Sequence, residues 1–214
     1  MKKQFAILSL FISIIIFNAF QTPKQPLEQI HAVHLNDMGV FEKSIKKLKT
    51  TAATTPLSID DLQTAFKEAR LAYKKIGWLI GYLEPENEKN FNGPPLTRID
   101  PTGYNEIDPA GFQPIEEIIF GEEIENEMPK LNRLVNELAF FAAQWTEQMA
   151  QHILSDREIF EAFRTELTQL FAMSFTGFDS PVAFHALPEA LVAWTTIEQN
   201  FNFYIKNLER KIRF

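Results

Sequence analysis

Residues 58–85 read SIDDLQTAFKEARLAYKKIGWLIGYLEP. Within them Leu62, Phe66, Ala69, Tyr73, Ile76, Leu79 and Leu83 recur at steps of four, three, four, three, three and four. That spacing keeps the apolar side chains on one face of a 3.6-residue helix and matches no strand pattern. Ser58 suits the N-cap, and Asp60 and Asp61 fall in the first turn, where negative charge meets the free N–H groups. Glu84-Pro85 ends the element, because a residue before proline is pushed out of the α region. The stretch predicts a single amphipathic helix of about six turns. Gly77 and Gly81, four apart beside Trp78, offer a place where another backbone can come close.

The same period extends in both directions. Upstream, Ile30, Val33, Met38, Phe41, Ile45 and Leu48 predict a helix from Leu27 to about Thr50. His31 and His34 lie three apart on it, placed either to share a ligand or to sit as boundary imidazoles. Residues 50–56, TTAATTP, form a linker closed by proline. Downstream, Pro129 suits a helix start, and Leu131, Leu134, Leu138, Phe141, Trp145, Met149 and His152 follow at steps of three and four. Ser155-Asp156-Arg157-Glu158 is a capping box, and Ile159, Phe163, Leu167, Leu170 and Ser174 carry the next stripe up to Gly177, a natural C-terminal stop. Pro188 opens a last helix whose apolar face is Leu191, Trp194, Ile197, Phe201, Tyr204, Leu208 and Ile212. No stretch alternates with period two over a strand's length. The fold class is all-α: an antiparallel helical bundle of about five long helices.

Residues 92–121, NGPPLTRIDPTGYNEIDPAGFQPIEEIIFG, are the part that helical periodicity leaves unexplained. They form a long loop between the second and third long helices, and connections of that length are functional or disordered. Its Leu96, Ile99, Tyr104, Ile107 and Phe112 predict a loop ordered by packing on the helices. It ends in a short helix with Pro114 at its start and Glu116 and Glu117 in its first turn. Gln113 and Glu116, three apart, share a face and could hold one cation, with Glu117, Asp100, Glu106 and Asp108 adding oxygens. Oxygen donors suit a hard divalent ion, or weakly held iron, better than zinc. The competing reading is that the acids cap the helix and Gln113 bonds the loop backbone.

Composition removes many alternatives. Lys2 and Lys3 precede an apolar run from Ala6 to Phe20, followed by QTPKQP, the pattern of a secretory signal over residues 1–21 or of an uncleaved N-terminal membrane anchor through residues 6–20. A periplasmic or exported domain over residues 27–214 is expected. Without residues 1–21 the chain carries 19 basic against 28 acidic residues, a net charge of −9, which suits no nucleic-acid partner. The absence of cysteine excludes disulfides, Cys-based zinc, iron–sulfur clusters and covalent c-type haem. No His-Glu-x-x-His, Gly-x-Ser-x-Gly or phosphate-loop pattern occurs.

Gly111-Phe112-Gln113-Pro114-Ile115-Glu116-Glu117-Ile118-Ile119-Phe120-Gly121 resembles the Gly-x-His-x-x-Glu signature of imelysin-like proteins, a family also classed among metallopeptidases. Ala72–Ile76 leading to Asn92-Gly93-Pro94-Pro95-Leu96, then Thr176-Gly177-Phe178-Asp179-Ser180-Pro181, then Ala186–Ala190 are similar to the imelysin-like region that precedes the haem domains of some bacterial di-haem cytochrome c peroxidases. Together these span about residues 60–195. The resemblance implies a helical bundle and a metal held at Gln113, Glu116 and Glu117. It implies structural roles for Gly93, Pro94, Gly111, Phe112, Gly121 and Asp179, and it makes the cofactor a divalent metal or iron. A haem-containing peroxidase or an iron-uptake component is the implied partner. The family's His is Gln113 here, which leaves Glu116 as the firm carry-over. The expectation is therefore binding without turnover by this chain alone. A metal-dependent peptidase and a ligand-free interaction scaffold are the alternatives.

Overall fold

The computed structural model describes residues 25–100 and 102–213. The expected signal or anchor over residues 1–21 lies outside the described residues. Among the described residues eight helices pack together, with one two-stranded hairpin. In chain order they are α1 (Pro26–Ala52), α2 (Ile59–Lys74), α3 (Gly77–Leu83), α4 (Pro85–Asn92), strands β1 (Arg98–Ile99) and β2 (Glu106–Ile107), α5 (Phe112–Ile119), α6 (Ile124–Gln151), α7 (Asp156–Gln169) and α8 (Ala186–Ile212). A five-residue π-helical turn, Leu170–Ser174, prolongs α7. None of the described helices is long and apolar enough to cross a membrane.

The core follows the sequence stripes for most of the chain. α1 lies between α2 and α6 and buries Ile30, Met38, Phe41, Ile45 and Leu48. Phe41 meets Tyr73, Phe91 and Phe112 with ring centroids 5.9–6.1 Å apart, so one aromatic cluster ties α1, α2, α4 and α5 together. α7 starts at the expected capping box: Ser155 Oγ accepts from the Glu158 amide, and Glu158 Oε2 accepts from the Ser155 amide at 2.8 Å.

Four expectations change in the structure. The helix predicted through Leu83 breaks after Lys74. Amides 75 and 76 bond back three residues, to Ala72 and Tyr73, instead of four, and the Tyr73 ring lies where a side chain on Gly77 would stand. The break turns α3 onto α7, where Trp78 packs on Phe163 with centroids 5.2 Å apart. α6 starts at Ile124, not Pro129, with Glu125 and Glu127 in its first turn and Pro129 inside the helix. The loop is not packed as expected: Leu96, Ile99, Tyr104 and Ile107 are exposed, Tyr104 to 91%, and only Phe112 is buried. The hairpin and the Asp100 turn order it instead. Asp100 accepts from the Thr102 hydroxyl and the Asn105 side-chain amide at 2.7 Å each.

The fourth change concerns α8. Its large apolar residues, Leu191, Trp194, Phe201, Leu208 and Ile212, are exposed, while the buried face is Ala186, Glu189, Ala190, Ala193, Thr196, Ile197 and Asn200. Small side chains let α8 approach α2 and α1 closely, and the bulky ones are left outside.

Candidate functional site

The site grows from Arg70, which is fully buried on α2. An unpaired guanidinium there would be prohibitive, and each of its three nitrogens finds an oxygen. Nε donates to Glu189 Oε1 at 2.9 Å, and Nη2 closes a second bond to the other Glu189 oxygen. The guanidinium also donates to the Asp179 carbonyl at 2.7 Å, to Asp179 Oδ1 at 3.2 Å and to the Asn92 side-chain oxygen. One turn on, Lys74 donates to Asp179 Oδ2. Asn92 Nδ2 and Ser174 Oγ complete the Asp179 carboxylate at 2.8 and 2.9 Å. Two cations and two anions thus neutralise each other inside the protein. Burial alone would raise the Asp179 carboxyl, but Lys74 and Arg70 outweigh it and hold it well below the usual carboxylate range. Glu189 behaves likewise, its burial overcome chiefly by Arg70.

Gly111 delivers the motif helix to this network. Its φ of +86° is left-handed territory, and a Cβ there would stand 2.3 Å from the Phe91 carbonyl oxygen. Glycine alone lets the start of α5 close onto the end of α4. Phe112 then enters the core under the Arg70 guanidinium, 5.4 Å from ring centroid to charge.

The three expected metal residues part company. Gln113 is buried, donates to the Asn92 carbonyl at 3.5 Å and faces a cavity. Glu116 is fully buried, and its Oε1 accepts from the Ser180 hydroxyl and the Ala183 amide, both at 2.7 Å. Its Oε2 has no hydrogen-bond partner. Glu117 is exposed. Of the loop acids, Asp100 is spent on its own turn, Asp108 lies 3.8 Å from Arg133, and Glu106 is exposed. Among the described residues no three His, Asp or Glu side chains gather as a metal cluster. The structural residues fare differently: Asp179 is a hub, Gly93 and Pro94 line the cavity, and Gly121 sits where a Cβ would meet the Glu117 carbonyl oxygen at 2.6 Å. His34 is buried between Trp78 and Trp145, where burial pushes its pKa down to about 3 and Trp145 Nε1 donates to it. His31 donates to the Met149 carbonyl at 2.8 Å, so the two imidazoles hold structure. His152 meets Glu158 at 3.2 Å.

The cavity, about 560 Å³, opens beside the network between α2, α4, α7 and the 174–181 turn. Lys74 and Asp179 form its inner wall, and Glu88 and Glu166 line it from α4 and α7. Glu166 is nine-tenths buried and accepts no hydrogen bond from any described residue. Burial pushes its pKa up to about 7; Lys74 opposes the rise, and Asp179 and Glu88 add to it. Burial also raises Glu88, which accepts from the Tyr73 hydroxyl at 3.3 Å. The side-chain amides of Gln113 and Gln169 line the same space and can offer neutral oxygens. The arrangement is two under-compensated carboxylates facing a chamber large enough for a hydrated ion.

The sequence reading passed over Arg70, Lys74, Glu88, Glu166 and Glu189. A signal was present at Glu166, which stands three residues after Phe163 and four before Leu170, in phase with the buried stripe of α7. A carboxylate at a core position costs several kcal/mol unless something answers it.

No protein-family model matches the chain, and no curated protein matches it either.

Proposed function

We propose that this chain is an exported helical binding protein of imelysin type, and that its ligand is a divalent metal cation held with part of its water shell between Glu88 and Glu166. The observation that carries the reading is Glu166: a largely buried carboxylate lining a cavity, with no protein group hydrogen-bonded to it. A cation supplies the counter-charge it lacks. The donors around it are oxygens, which favours a hard ion such as Ca²⁺ or Mg²⁺, or iron, over zinc. An ion with six waters needs on the order of 200 Å³, well within the chamber.

The reading is one of binding and not of turnover. Gln113 stands in the place of the family's His. A haem peroxidase or an iron-uptake component is the partner to which such a protein would hand its ion, in keeping with the resemblance of residues 60–195.

The test is the metal content of the chain purified without chelator or metal-affinity resin, compared with Glu166→Gln and Glu116→Gln. Near-stoichiometric metal in the wild type that is lost in Glu166→Gln and kept in Glu116→Gln supports the cavity. Metal lost only in Glu116→Gln returns the site to the motif helix. No uptake by the wild type, even when titrated with Ca²⁺, Mg²⁺ and Fe²⁺, overturns the reading.

A further inference from the structure

The exposed side of α8 has a period of its own. Leu187, Leu191, Trp194, Glu198, Phe201, Ile205, Leu208 and Ile212 follow at alternating steps of four and three along the whole helix. That is the 3.5-residue repeat of a coiled-coil seam, and every one of these residues is exposed. Beside it, Phe160 on α7 is also half out, and Phe160, Phe163, Leu167, Trp194 and Phe201 form a groove between α7 and α8. Within the described residues nothing covers the seam.

Its size matches an interface. With exposures from 37% to 74%, and side chains of roughly 150–250 Å² each, the seven apolar seam residues and Phe160 present on the order of 800 Å², what one partner gives to a standard interface. Two features choose the occupant. A bilayer fits poorly, because Glu198 sits in the middle of the stripe and its carboxylate would enter lipid. A helix with the same repeat fits well, and the chain carries one.

We propose that this face is the interface between two copies of the chain, α8 packed antiparallel on α8 about a two-fold axis near Asn202. Parallel pairing would set Glu198 against its own copy. The antiparallel pair sets Phe201 beside the partner's Ile205 and keeps the two Glu198 side chains roughly 15 Å apart along the helix axis.

The protein has no cysteine, so a single introduced one reports the pairing in the full-length chain. Asn202→Cys, exposed and beside the axis, is expected to form a disulfide-linked pair on mild oxidation. Ala143→Cys, exposed on α6, is expected to stay at single-chain mass. Thr195→Cys, displaced from the axis, is expected not to link to itself. Adding Phe201→Glu to Asn202→Cys is expected to abolish the link with the helical circular dichroism unchanged. Four results would overturn the proposal: Asn202→Cys linking no better than Ala143→Cys; a link that survives Phe201→Glu; Thr195→Cys linking as readily as Asn202→Cys, which means parallel pairing; or quenching of Trp194 by brominated lipid vesicles without any link, which gives the face to a bilayer.

Discussion

Replacing Glu166 with Gln removes a charge and keeps the shape, and the structure fixes how the effect must vary with pH. In the folded chain burial pushes the Glu166 pKa up to about 7 from an ordinary 4.5. A pKa raised by folding means that the folded state holds the proton more tightly. The group's contribution is therefore fully present below 4.5 and is lost as pH rises through 7. At about 1.4 kcal/mol per unit, the wild type loses on the order of 3 kcal/mol between pH 4 and pH 8 through this one carboxylate. Glu166→Gln loses none of it. Unfolding in urea, followed by circular dichroism at pH 4, 5.5, 7 and 8 in the presence of chelator, is expected to show the two proteins equal at pH 4 and the variant more stable by about 3 kcal/mol at pH 8. The contribution of His34, which does not act on Glu166, is common to both and cancels in the difference. Saturating divalent cation then restores the wild type at pH 8, by about 2.7 kcal/mol at a hundred times its Kd, and leaves the variant unchanged. A difference that does not change with pH, or a variant less stable at pH 8, would refute the reasoning.

Other perturbations have defined outcomes. Phe112→Ala empties a fully buried position in the aromatic cluster and is expected to cost about 3–5 kcal/mol in urea unfolding; an unchanged midpoint would mean that the start of α5 is not packed. Arg70→Ala strands the Asp179 and Glu189 carboxylates among buried groups and is expected to cost about 3–5 kcal/mol at pH 7, with part of the loss recovered near pH 4 as they protonate. Gly111→Ala forces a Cβ onto the Phe91 carbonyl at positive φ and is expected to destabilise by about 2 kcal/mol or more, measured as a lowered Tm.

The sequence made the helix inventory legible because apolar residues at steps of three and four leave few alternatives, as α1 and α7 show with both their stripes and their ends. It failed where packing obeyed size in place of hydrophobicity. On α8 the bulky stripe looked like the core face, yet Ala186, Ala190 and Ala193 are what let the helix dock. The loop misled in a similar way: Leu96 and Tyr104 look like core residues, but a hairpin held by Asp100 satisfies the backbone without burying them. The site was half legible. Gln113 and Glu116 are buried, Gln113 bonded to the Asn92 carbonyl and Glu116 through Oε1 to Ser180 and Ala183, with its Oε2 left without a partner. The charges that define the cavity come from α2, α4, α7 and α8, and no local spacing announces a contact 119 residues long.

That buried quartet also dictates an order of events. Arg70 and Lys74 wait for carboxylates 105 to 119 residues further along. Until Asp179 and Glu189 arrive, closing the bundle would leave the Arg70 guanidinium buried without its carboxylates. A chain shortened ahead of Asp179 is therefore expected to keep most of the apolar stripes and still fail to shut, and the final sixth of the sequence acts as the clasp that makes the rest a folded object.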